Sequence, residues 1–245
     1  MTEPTPQAPP TGGRLAPSLS DFFLVLGLGV ASAVIAGLIF GRELTPFLVF
    51  AVILPAQYAG HIVGIAWVLR QRHLTLNDLG FEINGADPAY LLLGMLLQFA
   101  LAILVLPLVD LVGLPVVESP QEIQTLIAGD LTTPARVALM LSTALLAPVV
   151  EELMFRGMLL QTALARWGRR AAVLITSAAF AGLHLVTLDP SQFLAAAVIT
   201  LPRFFIMGLV LASLTLRRGR LGPAIFTHAG FNLIGVIALY VTAPA

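Results

Sequence analysis

The sequence predicts an all-α fold: a polytopic transmembrane helical bundle of about seven spanning helices plus one short interfacial helix. Three observations carry this. Of 245 residues, 58% are hydrophobic and only 11% are charged, where a soluble domain carries about 25%. The mean hydropathy of the chain is +0.95. The apolar residues also fall in successive runs of roughly the 20 residues that cross a bilayer core. Such runs are too long and too evenly apolar for the strands of a membrane barrel, and only helices or closed barrels satisfy their backbone in lipid.

Residues 1–19, MTEPTPQAPPTGGRLAPSL, are rich in Pro, Thr and Gly. They are expected to form a disordered tail, because such a composition buries too little apolar surface to fold. No charged segment leads there into a short apolar run with a cleavage site, so a signal peptide is not expected. Residues 20–245 are assigned to the transmembrane domain. Its apolar runs lie near 21–41, 46–69, 89–113, 135–165, 171–188, 192–216 and 222–242. The fourth is long enough to tilt or protrude. Between the third and fourth, PVVESPQEIQTLIAGDLTTPAR has turn residues at both ends and reads as the interfacial helix.

All thirteen positive charges are arginine, and formal net charge is zero. With seven spans, Arg14, Arg70, Arg72, Arg166, Arg169, Arg170, Arg217, Arg218 and Arg220 share one side, against Arg42 and Arg136 on the other. The positive-inside rule then makes the N-terminus cytoplasmic and the C-terminus external, in a multi-pass protein of the cell membrane. No basic patch suggests nucleic acid. The chain has no cysteine, which excludes disulfides, thiolate catalysis and cysteine metal sites.

Ionisable residues inside spans are costly, on the order of 2.5–3.5 kcal/mol each on insertion scales, and they usually mark function. The segment APVVEELMFRGMLL holds three of them. Glu152 and Arg156 stand at i and i+4 with the acid first, which is the favourable ion-pair order. A structural brace suits them. Glu151 points about 100° away from Glu152 and has no counter-ion on its own helix. A carboxylate so placed suits a general base. In the next span, FAGLH sets Phe180 and His184 on one face; alone, such a histidine is more often a core residue. In the last span, HAGFN does the same for His228 and Asn232; alone, helix–helix hydrogen bonding explains them equally well.

Depth joins the three sites. At about 1.5 Å per residue, Glu151 lies some 22 Å from Arg166, and His184 roughly 21 Å from Arg170. His228 and Asn232 come out at roughly 12 and 18 Å from Arg220. All four side chains can therefore meet inside the membrane. One Glu and one His can hold and deprotonate a water; a second His and an Asn can donate to the oxyanion formed on a carbonyl. The same groups could instead hold zinc, with Glu151, His184 and His228 as ligands. No other cofactor is expected. HExxH, GxSxG and a glycine-rich phosphate loop are absent, and Asp110 and Asp130 do not form an intramembrane dyad.

In order, EELMFR (Glu151–Arg156), FAGLH (Phe180–His184) and HAGFN (His228–Asn232) resemble the EExxxR, FxxxH and HxxxN motifs of the CPBP family. That family groups CAAX prenyl proteases with bacterial relatives linked to bacteriocin processing and immunity. The motif-bearing core spans about 135–240. The resemblance implies an intramembrane endopeptidase open to the cytoplasmic side, acting on a peptide or lipidated protein within membrane lipid. It implies that Glu151 and His184 activate the water and that His228 and Asn232 stabilise the oxyanion. Glu152, Arg156 and Phe180 support them. The family has been described as metal-dependent, but a metal-free glutamate mechanism is expected here. A zinc site wants three ligands with supporting partners; of the spare histidines, His73 lies in a loop and His61 has no ligand partner at i+4.

Arg203 lies mid-span after Pro202. It is read first as a cation neutralising Glu151 or Glu152, because a buried Arg needs a permanent partner; a substrate carboxylate is the alternative. Gln57 and His61 are read as cavity-lining or helix-contact residues. Two other function classes fit buried Glu, His and Arg: a proton-coupled transporter, and a non-catalytic immunity or scaffold membrane protein. The absence of lysine and the compact chain point to a bacterial source.

Overall fold

A computed structural model describes residues 16–40, 45–112, 133–188 and 190–242. Among them every regular element is helical. Helix α1 is Leu19–Phe40. Ser18 and Asp21 cap its start reciprocally: the Asp21 N–H donates to Ser18 Oγ at 3.2 Å and the Ser18 N–H to Asp21 Oδ2 at 2.8 Å. Helix α2 runs over 46–72 and stops where His73 takes the left-handed conformation at φ 55°. The Leu74 N–H then closes on the Leu69 carbonyl at 2.8 Å, satisfying an orphan acceptor of the last turn. Helix α3 is Asp87–Val112.

The next helical run, Pro134–Val186, is 53 residues long. It is two helices joined at Gly168, whose φ of 74° and ψ of 175° are non-helical. We call its arms α4 (133–167) and α5 (169–183). The Phe155 and Phe180 rings, thirteen residues before the turn and twelve after it, meet with centroids 5.2 Å apart. The arms therefore lie antiparallel, side by side. Helix α6 is Phe193–Arg218, ended by Gly219 at φ 70°. Helix α7 is Gly222–Thr242.

These seven helices follow the seven apolar runs closely. Five helical runs are long and apolar enough to cross a membrane, the doubled α4–α5 run counting once; α7 contributes a shorter apolar stretch, Gly222–Ile237. Outward faces are apolar throughout, as Phe23, Leu38, Leu96, Ile103, Leu145 and Leu194 show. So large an exposed apolar surface fits lipid rather than water. The expected interfacial helix falls mainly on 113–132, and most of the expected tail on 1–15; both lie outside the described residues, as do Arg14 and Arg42.

Three turns are widened to π-helix: Val49–Ile53, Leu141–Leu146 and Leu153–Leu159. Such bulges gather at functional sites. Two of them lend a carbonyl to another helix: Phe50 accepts the Ser142 hydroxyl at 3.0 Å, and Thr143 accepts Asn232 at 2.8 Å.

One end of the bundle is stitched by polar contacts. Arg72 pairs with Asp21 at 2.9 Å, and Thr162 donates to the Pro17 carbonyl at 2.8 Å. The Leu221 N–H donates to the Gly80 carbonyl at 2.7 Å. Arg220 forks onto buried Asp87, which holds its guanidinium above the ordinary arginine value. The core of α1, α4, α5 and α6 fills the space beside this end, around Phe22, Phe155, Met158, Phe180, Met207 and Leu211.

Candidate active site

Glu152 is the most enclosed member of the site. Its side chain is 0% exposed, and Arg156, also 0% exposed, donates from Nη1 to its Oε1 at 3.0 Å. The expected i, i+4 brace is thus formed, inside a widened turn. Arg156 is held from two further sides. Its Nη2 donates to the Gly208 carbonyl on α6 at 3.3 Å, and its guanidinium lies 4.6 Å over the Phe180 ring. A charge so deep needs all of these contacts to remain tolerable.

Glu151 faces a different space. Its side chain is 19% exposed, and its Oε2 stands 3.8 Å from His228 Nε2. Its cross-helix partner thus comes from α7. The difference matters, because this carboxylate has open space beside it and Glu152 has none.

His228, 1% exposed, bridges the two acids. Its Nδ1 lies 3.0 Å from Glu152 Oε1. A carboxylate oxygen only accepts, so Nδ1 carries the proton and Nε2 is the nitrogen turned towards Glu151. Asn232, one turn on, donates through Nδ2 to the Thr143 carbonyl at 2.8 Å. An amide nitrogen has two hydrogens, so one remains for another acceptor.

His184 ends α5. Its Nδ1 lies 2.8 Å from the Phe180 carbonyl, which fixes the proton on Nδ1 and leaves Nε2 as an acceptor. Its ring stacks on Phe204 with centroids 3.7 Å apart and planes 17° from parallel. Phe180 separates the two histidines, with centroids 4.8 Å from His184 and 5.6 Å from His228. The motif phenylalanine is therefore a fully buried hub that touches Arg156 and both imidazoles. Arg203 is 8% exposed, with its guanidinium 5.4 Å from the Phe231 ring. The described ion pairs of Glu151 and Glu152 are with His228 and Arg156.

The structure thus gathers Glu151, Glu152, Arg156, Phe180 and His228 in direct contact, with His184 against Phe180 and Asn232 along α7. Phe204 and Thr143 were not foreseen. Phe204 belongs to an unremarkable apolar run, and Thr143 acts through its backbone, so neither leaves a mark in composition. Among the described residues no three His, Asp or Glu side chains are arranged to hold a metal ion. His228 lies between the two acids, and His184 stacks on Phe204.

Residues 133–234 match the family model described as type II CAAX prenyl endopeptidase Rce1-like. The matched range is under half of the chain and holds every site residue named above. No curated protein and no solved structure matches the chain.

Proposed function

From the match of residues 133–234 to the model of Rce1-like type II CAAX prenyl endopeptidases, we propose that the chain hydrolyses a peptide bond within the membrane by glutamate-activated water. The observation that carries this is the division between adjacent carboxylates. Glu152 is sealed and paired, while Glu151 is partly exposed and 3.8 Å from His228.

In this reading a water sits on Glu151 and is held from the other side by His184 Nε2. Glu151 takes the proton as the water attacks the carbonyl. The tetrahedral oxyanion is met by His228 Nε2–H and by the second Asn232 hydrogen. His228 is held for this by Glu152 on its Nδ1. Glu151 then returns its proton to the leaving amine. The family's older description as metal-dependent is not needed for these steps.

An apolar groove of about 460 Å³, lined by Phe50, Ala51, Pro55, Leu146 and Val149, lies between α2 and the first half of α4, the helix that carries Glu151. It supports a lipophilic or lipidated substrate. The arginine-bearing end is proposed to be cytoplasmic, with α7 ending outside. Purified protein in detergent should cleave peptides with an apolar or prenylated C-terminal segment, and Glu151→Gln should abolish cleavage. Proton flux in liposomes that depends on Glu151, with no cleavage of any such peptide, would instead identify a transporter.

A further inference from the structure

The stitched end of the bundle carries more positive charge than its own acids neutralise. Arg72 is taken by Asp21 and Arg220 by Asp87, and Asp78 turns back to Thr75. Arg70, Arg166, Arg169, Arg170 and Arg217 are exposed, and among the described residues none has an acidic partner. Arg218 lies over the Tyr90 ring at 5.7 Å.

Register brings most of these together. Gly208 of α6 is so close to Ser177 of α5 that a Cβ there would lie 2.9 Å from the serine Cβ. The two helices are antiparallel, so Gly168 comes level with Arg217. The packing of Ala163, Ala172 and Leu216 in one cluster agrees. Arg166, Arg169 and Arg170 at the α4–α5 tip therefore stand beside Arg217 and Arg218. Arg169 and Arg170 also open α5, where the helix dipole adds positive potential.

Both tryptophans of the chain lie at this end. Trp167 follows Arg166 and is 46% exposed; Trp67 is one turn before Arg70 and 48% exposed. Exposed tryptophan beside arginine marks the headgroup level of a bilayer. The guanidinium fork matches phosphate oxygens two at a time, which an ammonium does not.

We propose that the arginine cluster at the α4–α5 tip and the end of α6 is a binding surface for the phosphate headgroups of anionic phospholipids. The occupant follows from charge and depth. The surface is cationic, no acid among the described residues neutralises it, and exposed Trp167 stands within it, as a residue at the headgroup level would. The surface does not depend on the proposed protease chemistry.

The tryptophans supply the readout. The full chain is placed in phosphatidylcholine vesicles containing a minor fraction of phosphatidylglycerol or phosphatidylcholine brominated near the headgroup end of the chain. Brominated phosphatidylglycerol should quench tryptophan more strongly than its zwitterionic counterpart. Its relative association should fall about fivefold for each arginine removed in Arg166→Gln, Arg169→Gln and Arg170→Gln. Arg136→Gln, outside the cluster, should leave it unchanged. Should the triple variant fold poorly, salt titration of the unaltered protein is a second test, because added salt should erase the preference. Equal quenching by both lipids, or a preference that survives the triple variant or high salt, would overturn the proposal. Displacement by inorganic phosphate at matched ionic strength would also overturn it, making the cluster a soluble-anion site.

Discussion

His228 Nδ1 and Arg156 Nη1 both lie 3.0 Å from one oxygen, Oε1 of Glu152. Glu152 is therefore more than a brace for its own helix, since it also orients the α7 histidine. Removing it leaves a buried guanidinium uncompensated, at a cost of about 3–5 kcal/mol. Glu152→Ala should lower the midpoint of thermal unfolding in detergent and abolish cleavage. Arg156→Ala should do likewise. Glu152→Gln retains an acceptor but not the charge, so it should recover more stability than activity. A Glu152→Gln protein with unaltered cleavage would show that His228 does not need this partner.

Glu151 separates function from fold. Its side chain keeps 19% exposure and contributes no hydrogen bond that the fold depends on. Glu151→Gln should fold normally, with an unchanged unfolding midpoint. Its kcat should fall by about 10²–10⁴, the contribution of a positioned general base. Retention of full activity would remove Glu151 from the reaction.

The seven helices were legible because each is a long apolar run; His73, Gly168 and Gly219, all at positive φ, end three of them. The Glu152–Arg156 pair was legible because it lies within one helix, where spacing alone determines contact. What joins His228 to Glu152 was not. That contact depends on how far α7 is rotated and translated against α4, which no local spacing encodes. The π-widening over Leu153–Leu159 was hidden for a similar reason, as its residues are ordinary helix formers and packing decides the turn. Phe180 illustrates the mixture. Its place four residues before His184 was plain, but its contact with Arg156 follows only from the reversal at Gly168.

Asn232 offers a graded test. Its Nδ2 already donates to Thr143 at 2.8 Å, so it both ties α7 to α4 and presents a second hydrogen. Asn232→Ala should lose about 10²–10³ in kcat, typical of one oxyanion donor, with little change in KM. Asn232→Asp should not rescue it, because an ionised carboxylate cannot donate and would repel the developing charge. Loss confined to stability, with kcat intact, would make Asn232 a helix tie alone.

Gly94 and Gly230 determine how closely α3 supports the histidine helix. A Cβ on Gly94 would lie 1.9 Å from the Thr227 carbonyl oxygen and 2.7 Å from the Phe231 nitrogen. A Cβ on Gly230 would lie 2.1 Å from the Leu91 carbonyl oxygen. These are backbone atoms, so no side chain can swing aside. The residues struck flank His228, so α7 must shift and carry His228 and Asn232 with it. Overpacking of this kind costs about 1–3 kcal/mol or more. Gly94→Ala should therefore lower both the unfolding midpoint and kcat, the latter even at temperatures where the protein stays folded. Gly27→Ala is the matched control: its Cβ would meet nothing within 4 Å, and alanine favours helix by up to about 1 kcal/mol. If Gly94→Ala kept full kcat while Gly27→Ala lost it, the α3–α7 contact would have no part in holding His228 against the two glutamates.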